Sequence, residues 1–449
     1  MTALACFKAY DIRGRVPEEL NVDVAYRLGI AFAQQFRPRT VALGRDMRHS
    51  SLPLLHALAK GFNAEGTEVI DLGLCGTEEV YWAAQQAGID GGIQVTASHN
   101  PADYNGMKLV LRNAVPVSRD SGLRELEARV SASAARSPQA AAVMSSRSYR
   151  AGYIEHLLSY IDVARLKPLR IVVNAGNGVA GAVIDALEPH LPFQLIKVHH
   201  QPDGDFPNGV PNPLLPGNRS HTTNAVRLHR ADFGVAWDGD FDRCFLFDER
   251  GAFIKGYYIV GLLAEMLLRR HPGEKIIHDP RMTWNTIDMV RAAGGVAVQS
   301  KTGHAFIKER MRAENALYGG EMSAHHYFRD FGFCDNGNIP WLLLAEMIGE
   351  QGLPLSRLLH DRQALFPSSG ELNCQVTDVQ KTLDQIEYLY RPFCKEIDRT
   401  DGISLEFDTW RFNLRGSNTE PLIRLNVESR GDPALMMEKT AELLRQIEI

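Results

Sequence analysis

The most constraining feature of this chain is a pattern that appears three times. A short β-branched run is followed by a helix-period segment, a second short run, and later a third that ends in an unusual polar loop. The first series places strands at 40–43, 68–70 and 92–95, the second at 170–173, 193–196 and 233–236, and the third at 275–277, 296–298 and 316–318. Helices are predicted between the first two strands of each series, at 51–64, 179–187 and 283–293. Strand–helix–strand repetition predicts parallel sheets covered by helices. The three closing loops are Thr96-Ala-Ser-His-Asn-Pro101, Trp237-Asp-Gly-Asp-Phe-Asp-Arg243 and Gly319-Gly-Glu-Met-Ser-Ala-His325. Ligands of open α/β sheets bind beyond the carboxyl ends of the strands, so three such loops are expected to wall one cleft.

After 366–370 the pattern changes. Strands are expected at 372–376, 410–414 and 422–427, with helices at 381–392 and 433–447, a separate α+β module. The Ala/Ser-rich stretch 131–148 reads as a surface helix or linker. A length of 449 residues suits several domains. The expected limits are 1–145, 146–250, 251–365 and 366–449.

Composition narrows the class of function. Lys and Arg number 49 against 54 Asp and Glu, a formal net charge of −5, without the basic footprint of a nucleic-acid binder. The six cysteines are scattered, with no C-x-x-C pair, which argues against a zinc cluster or a disulfide framework. The longest apolar run, 257–268, is broken by Glu265 and is too short for a bilayer. A cytoplasmic protein with no nucleic-acid or membrane partner is expected.

Each loop has a chemical reading beside an ordinary one. Ser98, at a strand end, is a candidate nucleophile, or a turn serine of the kind that caps helices. Lys108 is close in sequence and suits proton transfer or anion binding, or is a solvated lysine. Asp238, Asp240 and Asp242 put three carboxylates at alternate positions. An oxygen-rich set of this kind suits Mg²⁺ or Ca²⁺; the alternative is a solvated acidic turn. An EF-hand is rejected: Glu249 falls at the twelfth position, but the sixth is Arg243 instead of glycine, and 244–247 reads as a strand. Glu321, Ser323 and His325 alternate in a loop suited to sugar hydroxyls. Arg415-Gly-Ser417-Asn418-Thr419-Glu-Pro421, followed by Arg424, offers the donors a phosphate needs, or is a polar hairpin turn. The rival signal is Gly176-Asn-Gly178-Val-Ala-Gly181, a G-x-G-x-x-G after a strand. It admits an NAD(P)-dependent enzyme, although the next strand ends in Val198-His-His200 where an acid is wanted.

Lys8-Ala-Tyr-Asp-Ile-Arg-Gly14, 96–101, 238–243, 320–325 and 415–421, in that order, resemble the α-D-phosphohexomutase superfamily over essentially the whole chain, and most of all its bacterial phosphomannomutase/phosphoglucomutase branch. The resemblance implies three similar mixed α/β domains and a C-terminal α+β (TATA-binding-protein-like) domain around a central cleft. It implies a phosphoserine at Ser98, with Mg²⁺ held by Asp238, Asp240, Asp242 and an oxygen of that phosphoserine. Arg243 would sit beside them. Glu321 and Ser323 would hold sugar hydroxyls, and Arg415, Ser417, Asn418, Thr419 and Arg424 the non-reacting phosphate. Tyr10, Arg13, His99, Lys108, Arg281, His304 and His325 would lie in the cleft, with Lys108 and His304 as acid and base; a lysine base would need a lowered pKa.

The implied reaction is a phosphomannomutase, and also phosphoglucomutase, interconversion of hexose 1-phosphate and hexose 6-phosphate. It passes through a bound hexose 1,6-bisphosphate, which also serves as activator. Partners would be hexose phosphates, and the protein a monomer or weak dimer. A phosphoglucosamine mutase is the neighbouring alternative, although that branch usually has Gln where Met322 stands. Ala324 departs from the close bacterial pattern, which often has Gly, and Arg281 stands where some relatives have Lys. A noncatalytic sugar-phosphate binder and a metal-dependent phosphatase complete the set of readings.

Overall fold

The computed structural model describes residues 4–133, 141–416 and 422–447. The chain forms two compact units, Met1–Phe253 with Asp330–Gly352, and Ile254–Arg329 with Leu353–Ile449.

The first unit contains two sheets. In one, Ile12–Arg15, Tyr104–Leu111, Gly91–Val95, Thr40–Arg45, Glu68–Leu74 and Ser145–Ser146 lie in that spatial order. Thr40–Arg45 runs parallel to both Glu68–Leu74 and Gly91–Val95, and Tyr104–Leu111 returns antiparallel against Gly91–Val95. The second sheet repeats this plan, with Arg170–Asn174 parallel to Gln194–Val198 and Phe233–Trp237, and Cys244–Phe247 as the antiparallel return. Val41, Leu43, Ile93 and Ile171 to Val173 are fully buried, as expected for parallel strands covered on both faces. Helices Val22–Phe36 and Ser51–Ala64 pack closely because Gly29 and Gly61 meet. A Cβ on Gly29 would lie 2.4 Å from the Leu58 carbonyl oxygen, and one on Gly61 2.1 Å from that of Tyr26.

The second unit carries the plan a third time, with Lys275–His278 parallel to Val296–Gln299 and Tyr318–Gly320, and His326–Phe328 as the antiparallel return. The C-terminal module is an antiparallel sheet in the order Leu372–Gln375, Leu422–Ser429, Trp410–Gly416, Ile403–Glu406, Glu396–Asp398. Its alternation is strict. Phe412, Leu414, Ile423, Leu425 and Val427 share a core with Leu383 and Ile386 of helix Val379–Tyr390 and Leu443 of helix Pro433–Ile447. Arg411, Asn413, Arg415, Arg424, Asn426 and Glu428 therefore fall on the opposite face.

Several expectations shift. The strand expected at 316–318 is Tyr318–Gly320. Gly319 and Gly320 disguise it, yet they are required there, because a Cβ would meet Met311 Sδ at 2.9 Å and Val260 Cγ2 at 2.6 Å. The helix expected at 381–392 is Val379–Tyr390, started by Asp378, whose side chain accepts from Lys381 N. Strands Glu396–Asp398 and Ile403–Glu406 went unexpected. Of the Ala/Ser stretch, 131–132 end a helix and 145–146 are an edge strand, while 134–140 lie outside the described residues. Residues 330–352 cluster with the first unit, where Trp237 Nε1 donates to the Gly337 carbonyl at 2.8 Å. Among the described residues, no helix is long and apolar enough to cross a membrane.

Candidate active site

The repeated strand plan gives the three unusual loops one shared position. Residues 96–103, 238–243 and 321–325 each join the third strand of a sheet to its antiparallel return. Each loop also holds one non-glycine residue in the left-handed region: Ser98 (φ 51°), Phe241 (φ 50°) and Ala324 (φ 72°). Such a conformation costs roughly 1–2 kcal/mol, and strain of this kind tends to collect where function demands a fixed geometry.

In the first unit, the serine and aspartate loops meet. Ser98 Oγ donates to Asp238 Oδ2 at 2.7 Å. Gly239 permits the approach, since a Cβ there would lie 2.6 Å from the Ser98 carbonyl oxygen. Asp238, Asp240 and Asp242 are all buried, and one carboxylate oxygen from each lies within 4.8 Å of the others. The Asp238 carboxyl is raised to about 6, by burial first and by Asp242 and Asp240, against the opposing pull of Arg243. Three buried carboxylates this close are short of positive charge, and Asp240 Oδ1 is buried with no hydrogen-bond partner among the described residues. Oxygen-only donors of this number and charge fit a hard divalent cation.

Two cations already serve the cluster. Lys108, on strand Tyr104–Leu111, donates to Asp240 Oδ2 at 2.6 Å and also to Asp242. Arg243 Nε donates to Asp238 Oδ2 at 2.8 Å, and its Nη2 lies 3.4 Å from Ser98 Oγ. Burial works to lower the Lys108 pKa, but its acidic neighbours, Asp240 and Asp242 foremost, outweigh burial and raise it. Lys108 in this setting is a charged donor. His99 behaves oppositely. Burial, with Arg243 and Arg13, holds its pKa well below the ordinary value, so the ring is neutral. Its Nδ1 takes a hydrogen bond from Arg243, which has donors only, so Nδ1 is the unprotonated nitrogen. Arg13 pairs with Asp11 at 2.6 Å and donates to Asn100 Oδ1 at 2.7 Å, which ties it to the serine loop. Tyr10 is half-buried just ahead of strand Ile12–Arg15.

The second unit gathers the expected sugar and phosphate residues. Arg281 is buried and pairs with Asp279 at 2.7 Å; its Nη2 lies 3.5 Å from Glu321 Oε1 and 3.4 Å from Ser323 Oγ. Glu321 accepts from the Gly303 amide at 2.9 Å and from the Tyr327 hydroxyl at 2.6 Å. Its carboxyl is driven well below the ordinary range: burial alone would raise it, but His325, Arg281 and Tyr327 prevail. His325 Nδ1 lies 3.3 Å from Ser323 Oγ. His304 opens helix His304–Glu314, directly after the Gly303 amide that Glu321 holds.

Arg415 and Arg424 sit directly opposite each other on neighbouring strands, a pairing that is repulsive alone. Glu371 resolves it. Its carboxylate lies 3.1 Å from Arg415 Nη2, 3.3 Å from Arg281 Nη1 and 3.6 Å from Arg424 Nη1. Burial would raise the Glu371 carboxyl, but the three guanidinium groups hold it down at about 2. Arg281 Nε and Arg415 Nε are buried without a partner among the described residues, so this cluster retains capacity for an anion. Ser417, Asn418 and Thr419 lie outside the described residues.

The rival glycine signal is explained by packing. A Cβ on Gly178 would lie 2.8 Å from the Gly239 carbonyl oxygen, and one on Gly181 2.3 Å from that of His200. Val179 N also donates to the Gly239 carbonyl at 3.1 Å. The space that a dinucleotide pyrophosphate would need is filled by the protein's own backbone, and the turn supports the aspartate loop.

Sequence reasoning missed Glu371, Asp279, Thr77, Asp46 and Arg48. Thr77 Oγ1 donates to Asp240 Oδ2 at 2.5 Å. None belongs to a recognisable motif; Glu371, Thr77, Asp46 and Arg48 are tied to the site through residues distant in sequence, and Asp279 through Arg281 two residues on. For Glu371 a usable signal existed: two arginines facing each other across a hairpin require a counter-charge.

Four family models match in chain order: phosphoglucomutase/phosphomannomutase alpha/beta/alpha domain I at 5–137, domain II at 151–251, domain III at 255–366 and the C-terminal domain at 371–446. A phosphomannomutase of Salmonella typhimurium is 58% identical over 451 residues, covering 99% of each chain. Phosphohexose mutases of Xanthomonas campestris pv. campestris are 57% identical over 440 residues, covering 98% of each. The crystal structure of a phosphoglucomutase/phosphomannomutase family protein from Burkholderia thailandensis superposes with a TM-score of 0.88 at 32% identity, covering 100% of this chain and 98% of that one.

Proposed function

Since this chain belongs to the phosphoglucomutase/phosphomannomutase family and is a mutase of the isomerase class, we propose that it interconverts mannose 1-phosphate and mannose 6-phosphate, and the glucose pair as well, by way of phosphorylated Ser98. The observation that carries this reading is the Ser98 hydroxyl, 2.7 Å from Asp238 Oδ2 in a buried carboxylate cluster flanked by Lys108 and Arg243.

The phosphorylated Ser98 gives its group to the free hydroxyl of a hexose phosphate. The bond from phosphorus to Ser98 Oγ breaks, a bond to the sugar oxygen forms, and the hydroxyl proton passes to a base. The hexose 1,6-bisphosphate so formed turns over and returns its other phosphoryl group to Ser98 Oγ, giving the isomeric monophosphate. Asp238, Asp240 and Asp242 would hold Mg²⁺, which when bound neutralises charge on the transferring group. Arg243 donates toward Ser98 Oγ and offsets the charge of about −1.5 to −2 that phosphorylation brings. Lys108, paired with Asp240 and Asp242, and His304 serve as the acid and base of the two transfers. Glu321, Ser323 and His325 hold sugar hydroxyls; Arg415 and Arg424, with Arg281, receive the phosphate that does not react, joined by Ser417, Asn418 and Thr419.

The domain limits near 145, 250 and 365 belong to the same proposal, as does a cytoplasmic location. The latter is supported by six cysteines of which none forms a disulfide.

After incubation with glucose 1,6-bisphosphate, mass spectrometry is expected to find one phosphate on Ser98, and Ser98→Ala to lose activity by about 10³-fold or more. An unphosphorylated Ser98, or a Ser98→Ala protein of full activity, would sink the reading. Rates with mannose 1-phosphate, glucose 1-phosphate and glucosamine 1-phosphate fix the sugar preference.

A further inference from the structure

Arg48 belongs to none of the functional loops, yet its guanidinium is almost wholly enclosed, with 1% of the side chain exposed. All five of its N–H donors are used. Nε donates to Asp46 Oδ2 at 3.2 Å. Nη1 donates to the carbonyls of Pro101 at 2.6 Å and Tyr104 at 2.9 Å. Nη2 donates to the carbonyls of Ser98 at 3.0 Å and Asn100 at 2.6 Å. One side chain thus grips three carbonyls of the loop that carries the nucleophile and that of Tyr104, where the return strand begins. Phe206, itself buried, places its ring centre 5.1 Å from the guanidinium carbon.

Asp46 holds the same loop from the other side. It accepts from Ser51 Oγ at 2.5 Å and from Thr96 Oγ1 at 2.7 Å, and Thr96 Oγ1 in turn accepts from the Ser98 amide at 2.9 Å. The two peptides around Ser98 are therefore pinned separately, the N–H through Thr96 to Asp46 and the C=O directly to Arg48. Pinning both peptides is what a left-handed, non-glycine residue needs in order to persist. It also fixes the direction in which Oγ leaves the backbone.

We infer that Arg48, braced by Asp46, is a positioning residue that locks Ser98 in the one orientation from which it can both give and receive a phosphoryl group. The inference rests on the reading of Ser98 as the phosphoryl carrier and adds the device that aims it. In-line transfer has narrow tolerance, and a misplacement of about 1 Å costs about 100-fold in rate. Lysine keeps the charge of Arg48, but its single ammonium has three donors at one point and cannot span four carbonyls and a carboxylate.

The test is Arg48→Lys, with Thr96→Val as a near-isosteric second variant that cuts only the link from the Ser98 amide to Asp46. Each is compared with the wild-type protein in steady-state turnover, in single-turnover phosphoryl transfer from glucose 1,6-bisphosphate to dephosphorylated enzyme, and in thermal melting. For Arg48→Lys the expected result is a kcat lower by about 100-fold, a single-turnover rate lower by the same factor, and a KM within about threefold of wild type. For Thr96→Val the same signature at about tenfold is expected. A kcat within about twofold of wild type in either folded variant overturns the inference, as does a loss that vanishes once the rate is divided by the folded fraction. If Arg48→Lys does not fold, Thr96→Val decides alone. A wild-type protein that never carries phosphate on Ser98 overturns the carrier reading and this inference together. A phosphorylated wild type with unimpaired variants overturns the positioning role only.

Discussion

At the scale of single residues, burial has opposite consequences for the titratable groups of this chain, according to which partner each one finds. Glu321 and Glu371 are enclosed but surrounded by cations, and both stay ionised. His326 is enclosed with no counter-charge strong enough to offset burial, and its pKa falls to about 3. Its Nδ1 lies 2.6 Å from the Tyr318 hydroxyl. Since the folded state resists the proton and the unfolded chain takes it up near 6.5, the stability His326 contributes is complete above that value and is lost as pH falls toward 3. The predicted slope is about 1.4 kcal/mol per pH unit below 6.5. Urea unfolding between pH 7 and pH 5 should show it, and His326→Gln should flatten it; an unchanged slope in that variant would contradict the assignment.

At the scale of elements, the hairpin of Trp410–Gly416 and Leu422–Ser429 shows how a site residue becomes part of the fold. The alternation that buries Leu414 and Leu425 places Arg415 opposite Arg424 on the other face, and Glu371, just ahead of strand Leu372–Gln375, supplies the missing charge. Glu371→Gln is predicted to destabilise the protein by roughly 3 kcal/mol at most at pH 7. The gap in stability between wild type and variant should stay constant down to about pH 4.5. It should narrow between there and about pH 2, because a depressed carboxyl loses its advantage as pH falls through its folded value. Inorganic phosphate, which substitutes for the lost charge, should raise the melting temperature of Glu371→Gln more than that of the wild type. An equal rise in both would mean that Glu371 does not share the arginines with an anion.

At the scale of the whole molecule, the same strand plan occurs three times, and its closing loops carry a serine, three aspartates and the Glu321–His325 turn. The plan supplies position and the loop supplies function. If Asp238, Asp240 and Asp242 hold Mg²⁺ as proposed, turnover depends on that cation. Exhaustive chelation should abolish turnover, Mg²⁺ should restore it, and Asp240→Asn, which keeps the shape and removes one charge, should raise the Mg²⁺ concentration needed for half-maximal rate by tenfold or more, on the order of 1.4 kcal/mol. Activity indifferent to chelation would refute the role of the three aspartates.

The repeated α/β plan, the separate C-terminal module and the loops with unusual polar residues are legible in the amino-acid order alone, because β-branched runs, turn residues and charged clusters are local signals. Strand Tyr318–Gly320 lies two residues beyond the position its sequence suggests, and strands Glu396–Asp398 and Ile403–Glu406 leave no clear sequence signal, because glycines and short polar edges carry little local preference. Packing alone shows that Lys108 pairs with Asp240 and Asp242, that Gly178 makes room for Gly239 and not for a dinucleotide, and that Arg48 grips the serine loop. Each of these depends on partners far away in the chain. A pKa, a close contact or a hydrogen bond belongs to the pair of groups that meet, and which groups meet is fixed by packing.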